Sequence, residues 1–163
     1  QESRDLFANG YFGKPIGIPK PNVNDINVPL ILDLIEGCYL QEISKIKITK
    51  NGKKVSLDTL IKICRKEYHN FDKKFQVYKD FREKGYVINP GIKFGCDFAV
   101  YQKGPGIDHA PYLVQVYNKN DDISSTAVVL AGRLASSVKK QFILAIPRDK
   151  DKIDYLALDW WRA

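Results

Sequence analysis

Tyr112-Leu113-Val114-Gln115-Val116-Tyr117, a helical stretch running from Ser124 or Ser125 to Val138, and then Phe142-Ile143-Leu144-Ala145-Ile146 decide how this chain is read. The first and third runs are short, apolar and bounded by turn residues, as core strands are. Between them, Ala127, Leu130, Ala131, Leu134, Ala135 and Val138 recur at helical spacing and leave the segment apolar around much of its circumference. Such a helix is expected to lie buried against a sheet. Upstream, Tyr86-Val87-Ile88 ends in a Pro90-Gly91 turn, residues 97–101 read as a strand, and Gly104-Pro105-Gly106 forms a loop leading to Tyr112. Downstream, residues 153–160 read as the last strand. Asp72 is expected to cap a helix whose stripe is Phe75, Tyr78 and Phe81 and which Gly85 stops. Residues 71–163 thus read α-β-β-β-α-β-β, a mixed central sheet flanked by helices.

Residues 1–70 read as a separate small α/β domain. Its first 28 residues are dense in Gly and Pro, with short strands expected at residues 11–14 and 16–18. Pro29 suits the first turn of a helix carrying Leu30, Ile31, Leu34, Ile35, Cys38 and Tyr39. A strand is expected through Ile43, Ile46 and Ile48, a turn at residues 50–53, and a helix N-capped by Ser56.

The chain has 163 residues, 44% hydrophobic and 28% charged, and a formal charge of +7. That is the composition of a globular protein large enough to bury a core. A basic excess favours a polyanionic partner, because each phosphate contact releases condensed counterions. Three cysteines, Cys38, Cys64 and Cys96, are too widely spaced for a metal knuckle and read as reduced thiols of an intracellular protein. No apolar run approaches the roughly 18 residues that a membrane span needs. No signal-peptide pattern opens the chain, and with no Met present, Gln1 is not expected to be the natural start.

Two histidines occur. His69 sits beside the domain boundary and reads as an ordinary surface residue. His109 follows Asp108 in the loop between two strands, where catalytic groups concentrate; a lone loop histidine is more often idle. Asp108 would favour the protonated imidazole, which a general acid requires. Tyr101 ends the strand feeding that loop, a position usually given over to packing. Lys139 and Lys140 close the apolar helix, where a cation suits the helix dipole. Asp97 is the one strand carboxylate of interest, and the strands offer no carboxylate cluster of the kind that holds magnesium. Tyr, His and Lys without a metal cage fit RNA cleavage by the substrate's own 2′-hydroxyl, which needs a base, an acid and a cation.

From Val77 onward the chain resembles archaeal tRNA-splicing endonucleases. The resemblance rests on the run from Val77 to Val87, on Gly91-Ile92-Lys93-Phe94-Gly95-Cys96-Asp97-Phe98, on Val100-Tyr101 through His109, on Tyr112-Leu113-Val114 and on Arg133 through Lys140. It implies a restriction-endonuclease-like C-terminal domain and cytoplasmic cutting of precursor tRNA at intron borders in a bulge-helix-bulge. It also implies 2′,3′-cyclic phosphate and 5′-hydroxyl ends, with neither metal nor cofactor. By the same resemblance Tyr101 is the general base, His109 the general acid and Lys140 the cation that stabilises the transition state. Arg133 and Arg162 correspond to cationic side chains that sandwich a flipped base. Tyr155, Leu156, Leu158 and Trp160 lie on a strand that such proteins use for subunit pairing. Homotetrameric members carry an acidic loop before that strand. Here residues 147–152 hold three basic and two acidic side chains, which implies a noncatalytic partner subunit and an α2β2 assembly. Two alternatives stay open: a noncatalytic RNA-binding subunit of the same assembly, and a metal-dependent DNA nuclease or resolvase of related fold.

Overall fold

The computed structural model describes residues 2–19, 21–149 and 152–158, and the chain divides into two compact units, residues 1–75 and 76–163. In the first unit, α1 (Glu2–Ala8) precedes β1 (Lys14–Pro15), which pairs antiparallel with β2 (Leu30–Ile31). The helix expected from Pro29 starts later, as α2 (Leu34–Glu42). Asp33 sets that start. Its carboxylate accepts from the Ile35 N–H at 3.0 Å, and the Glu36 carboxylate reaches back to the Asp33 N–H at 2.8 Å. This capping box satisfies donors that a helix N-terminus otherwise leaves open, so Leu30 and Ile31 are released to a strand.

The strand expected at Ile43, Ile46 and Ile48 does not form. The chain instead makes a hairpin of β3 (Thr49–Lys50) and β4 (Lys53–Lys54), turning through Asn51 at φ 51° and Gly52 at φ 76°. Both torsions are those that a two-residue hairpin turn requires. Ser56 caps α3 (Leu57–Glu67) as expected, accepting from the Thr59 N–H at 3.2 Å. Cys38 on α2 and Cys64 on α3 meet in the interior with sulfurs 3.3 Å apart.

A third long helix, α4 (Phe71–Glu83), carries the chain into the second unit. It starts one residue before Asp72, whose carboxylate pairs with Arg65 at 2.9 Å instead of capping. Gly85 ends it in the left-handed region at φ 85°. The second unit holds a five-stranded sheet in the order β5 (Val87–Pro90), β6 (Phe98–Tyr101), β7 (Tyr112–Val116), β8 (Gln141–Pro147) and β9 (Ile153–Leu158). All neighbours are antiparallel except β7 and β8. Parallel neighbours need a long crossover, and α5 (Ser125–Ser137) supplies it, N-capped by Ser124 through the Ala127 N–H at 3.1 Å.

The core under α5 is built from Cys96, Ala99, Leu113, Ala135, Phe142 and Leu144, with Ala131, Val138 and Leu158 at its margin. Small residues at positions 131 and 135 let the helix approach the sheet closely. α5 is less buried than its composition predicts, with Val129 46% and Leu130 60% exposed. Within α4, Arg82 is buried, its Nε donating to the Tyr78 hydroxyl at 3.0 Å and its Nη2 to the Ile88 carbonyl at 3.3 Å. That pairing is what lets a guanidinium sit inside at tolerable cost.

Candidate active site

The crossover fixes where Lys140 goes. Val138 ends α5, Lys139 takes the left-handed conformation at φ 53°, the Lys139 N–H bonds back to the Ser136 carbonyl at 3.3 Å, and the Lys140 N–H to the Ala135 carbonyl at 2.8 Å. These two bonds define a Schellman cap, a helix stop that normally places glycine where Lys139 stands. The next residue enters β8, and its N–H donates to the Pro111 carbonyl at 2.8 Å. Lys140 is therefore held between a helix cap and a strand start. Its ammonium donates to the Ala110 carbonyl and lies 5.4 Å from the centre of the Phe94 ring. Burial lowers the Lys140 pKa; the charge of Asp108 opposes that shift and Lys93 adds to it.

Sheet register brings Tyr101 to the same end. Val100 pairs with Tyr112 across β6 and β7, and Tyr112 pairs with Gln141 across β7 and β8. Tyr101 is the next residue after Val100, and Pro111, the residue before Tyr112, has its carbonyl bonded to the Gln141 N–H at the start of β8. Tyr101 is half-buried against the core under α5. Burial, and after it the charge of Asp108, push its phenol pKa up. The lowering by a nearby Lys140 that a general base would need is not what the free protein provides.

The loop from β6 to β7 is closed by Asp108. One carboxylate oxygen accepts from the backbone N–H groups of Gln102 at 3.0 Å and Lys103 at 3.1 Å, and the other from Gly104 at 2.8 Å. Gly104 at φ 136° and Gly106 at φ 87° take torsions that side chains disfavour, which lets the loop fold back on itself. Burial opposes ionisation of Asp108, yet these hydrogen bonds outweigh it and hold the carboxyl below the usual range. The carboxylate that the sequence sets beside His109 is thus turned onto its own loop. His109 leaves this closed turn as an exposed side chain, and the next peptide is the one whose carbonyl Lys140 holds.

Phe94 was not visible as a site residue in the sequence. It sits on the 3-10 turn Ile92–Phe94, which Gly91 permits: a Cβ on Gly91 would stand 2.5 Å from the Cys96 sulfur. Its ring forms one wall for Lys140, with Lys93 Nζ at 5.9 Å from the same ring. The signal for it was the proximity of an aromatic to two glycines, which sequence alone does not tie to a distant lysine. Asp97 has a structural task, accepting from the Val116 N–H and the Gln115 amide, both at 2.8 Å.

The remaining candidates lie elsewhere. Arg133 is exposed on α5, about two helical turns before Lys140. Tyr155 is occupied within its own unit: its hydroxyl donates to Asp80 at 2.5 Å and its ring packs 5.3 Å from that of Phe81. Leu158 packs against the core under α5, while Leu156 on the same edge strand is 50% exposed. Arg162 and Trp160 lie outside the described residues. His69 is exposed at the junction of α3 and α4. In the loop before β9, Arg148 pairs with Asp154 at 2.6 Å and the Arg148 N–H bonds to the Lys152 carbonyl at 2.7 Å. Among the described residues no three His, Cys, Asp or Glu side chains gather as a metal site would require, and no helix is long and apolar enough to cross a membrane.

Comparison with known proteins covers both units. Residues 71–155 match the family model described as tRNA intron endonuclease, catalytic C-terminal domain, and residues 1–61 match tRNA intron endonuclease, N-terminal domain. The tRNA-splicing endonuclease of Hyperthermus butylicus is 43% identical, across 98% of this chain and 90% of that protein. That of Sulfurisphaera tokodaii is 44% identical over the same shares. The Saccharolobus solfataricus tRNA-splicing endonuclease is 40% identical, across 98% of this chain and 89% of its own length.

Proposed function

The chain belongs to the tRNA intron endonuclease family, and from that premise we propose that it is the cutting subunit of a cytoplasmic tRNA-splicing endonuclease. It cleaves precursor tRNA at intron borders in a bulge-helix-bulge, without metal, leaving 2′,3′-cyclic phosphate and 5′-hydroxyl ends. The observation that carries this reading is the meeting of Tyr101, the His109 loop and Lys140 at one end of the β6-β7-β8 sheet, tied by the bond from Lys140 to Ala110.

In this reading Tyr101 takes the proton of the 2′-hydroxyl, His109 protonates the departing 5′-oxygen, and Lys140 stabilises the charge that builds on the phosphorane. The phenol is biased toward its neutral form in the free protein. At neutral pH the basic form is therefore a minor population, and the rate depends on how much of it coexists with the imidazolium and the ammonium. Arg133 and Arg162 sandwich the extruded base, using stacking on a guanidinium plane. The loop of residues 147–152 keeps a basic balance, three cations to two carboxylates, so it does not serve as an acidic docking loop, and this subunit receives one from a noncatalytic partner. Two copies of this chain then join two noncatalytic subunits, with the exposed edge strand carrying Leu156 as the subunit contact.

The test is cleavage of an intron-containing precursor tRNA in EDTA, by the chain alone and with a candidate partner subunit, alongside sizing of both samples. Cutting that persists in EDTA and requires the partner is expected. Loss of cutting on chelation overturns the metal-free reading, and a stable, active homotetramer of this chain overturns the α2β2 assembly.

A further inference from the structure

The Asp108 carboxylate has the densest set of backbone hydrogen bonds in the site, and it is itself neither the base, the acid nor the cation. Three consecutive N–H groups, from Gln102, Lys103 and Gly104, converge on its two oxygens. Two further bonds, from the Ile107 and Asp108 N–H groups to the Gly104 carbonyl at 3.1 Å each, close the same turn from the other side. A carboxylate saturated with fixed donors is a charge held in one place. Tyr101 immediately precedes this turn and His109 immediately follows it, so the angle between those two side chains is set by how tightly it closes.

We propose that Asp108 is the positioning residue of the active site: it closes the 102–108 loop so that Tyr101 and His109 face one phosphate from its two ends, and it is the fixed counter-charge of Lys140. This rests on the nuclease reading above. The second half of the role has an electrostatic signature. The Lys140 ammonium is bonded to the Ala110 carbonyl, two residues beyond Asp108, with the Phe94 ring as its neutral neighbour. Of the charges that act on Lys140, Asp108 supports its protonated form and Lys93 opposes it. Removing the carboxylate leaves the ammonium with burial and Lys93 against it, so Lys140 loses its proton at lower pH.

The test compares Asp108→Asn and Asp108→Glu with the wild type, each assembled with its partner, in single-turnover cleavage across pH. Asp108→Asn removes the charge and part of the acceptor capacity at nearly constant shape. Misplacing reacting groups by about 1 Å costs up to ~100-fold, so its plateau rate is expected to fall ~10- to 100-fold, with RNA affinity within threefold. Its alkaline decline should start at lower pH than that of the wild type, and Asp108→Glu should restore the position of that decline. Amide hydrogen exchange on the chain alone gives an answer that needs no RNA: exchange at Gln102, Lys103 and Gly104 should quicken at least tenfold in Asp108→Asn, with the β7 and β8 amides unchanged. A lower rate with an unmoved pH profile overturns the counter-charge role. Unchanged exchange, or a plateau within threefold of wild type, overturns the positioning role while leaving the nuclease reading standing. A wild-type assembly that cuts nothing, or a His109→Ala assembly that cuts normally, overturns the nuclease reading itself.

Discussion

Replacing Lys140 with alanine separates what the side chain does for stability from what it does for the reaction. The ammonium makes one charged hydrogen bond, to the Ala110 carbonyl, and one contact with the Phe94 ring at 5.4 Å. A hydrogen bond from a charged donor contributes about 1.5–3 kcal/mol when buried, and a cation over an aromatic face about 0.5–1 kcal/mol at an accessible site. Lys140 is only half-buried, so the lower ends apply and the folded protein should lose about 2 kcal/mol. The chain stays folded. Removing a preorganised group that stabilises transition-state charge costs ~100- to 1,000-fold in rate, or about 2.7–4 kcal/mol of barrier. The assay is single-turnover cleavage of an intron-containing precursor tRNA, with circular dichroism melts on the same samples. A folded Lys140→Ala protein that still cuts within about tenfold of the wild-type rate, a smaller loss than any removed transition-state donor produces, would refute the assignment. Lys140→Arg should recover only part of the rate, because a planar guanidinium does not repeat the geometry of an ammonium.

His109→Ala should abolish cleavage while RNA affinity stays within a few-fold, read by gel shift and cleavage on one preparation; a cleavage rate within a few-fold of wild type removes His109 as the acid. The alkaline decline in rate should begin below the ordinary lysine range near 10.4, because burial lowers the Lys140 pKa and the cation is lost as pH rises through that lowered value. Lys139→Gly should raise stability by about 1 kcal/mol, since glycine takes the left-handed torsion without a Cβ penalty, and cleavage should persist; a lower melting temperature would show that the cap is not under strain. Cys38, Cys64 and Cys96 are buried, and burial raises all three thiol pKa values, so a maleimide should label none of them until the chain is denatured.

What was legible in the sequence was local. Ser56 caps the helix it was expected to cap, and Ser124 caps the helix expected to open at Ser124 or Ser125, because a hydroxyl before an apolar-periodic run needs only its own third neighbour. The strands of the second unit could be read because their apolar runs are bounded by glycine, proline and lysine. The first unit was misread where two local signals competed. Pro29 pointed to an early helix start, but Asp33 with Glu36 makes a reciprocal cap that no lone proline matches. Ile43, Ile46 and Ile48 have strand composition and no partner strand, whereas Asn51-Gly52 makes the turn that brings Lys50 against Lys53. At the site, the identities of Tyr101, His109 and Lys140 came from resemblance, and their meeting point from register. The role of Asp108 in closing its loop could not be read, because its three donors lie on backbone whose path depends on the positive torsions of Gly104 and Gly106.

The helix cap before β8 has a consequence for how this chain can change over time. Positions 139 and 140 carry the same amino acid, so composition treats them as equals and a drift of the helix end by one residue would seem harmless. The backbone says otherwise: one lysine is spent on reversing the chain and points away exposed, the other is delivered to the sheet end. A residue inserted between Lys140 and Gln141 would preserve every charge yet draw Lys140 away from the strand start that delivers it to the sheet end. The spacing of this segment should therefore be more strictly kept than the identity of its first lysine.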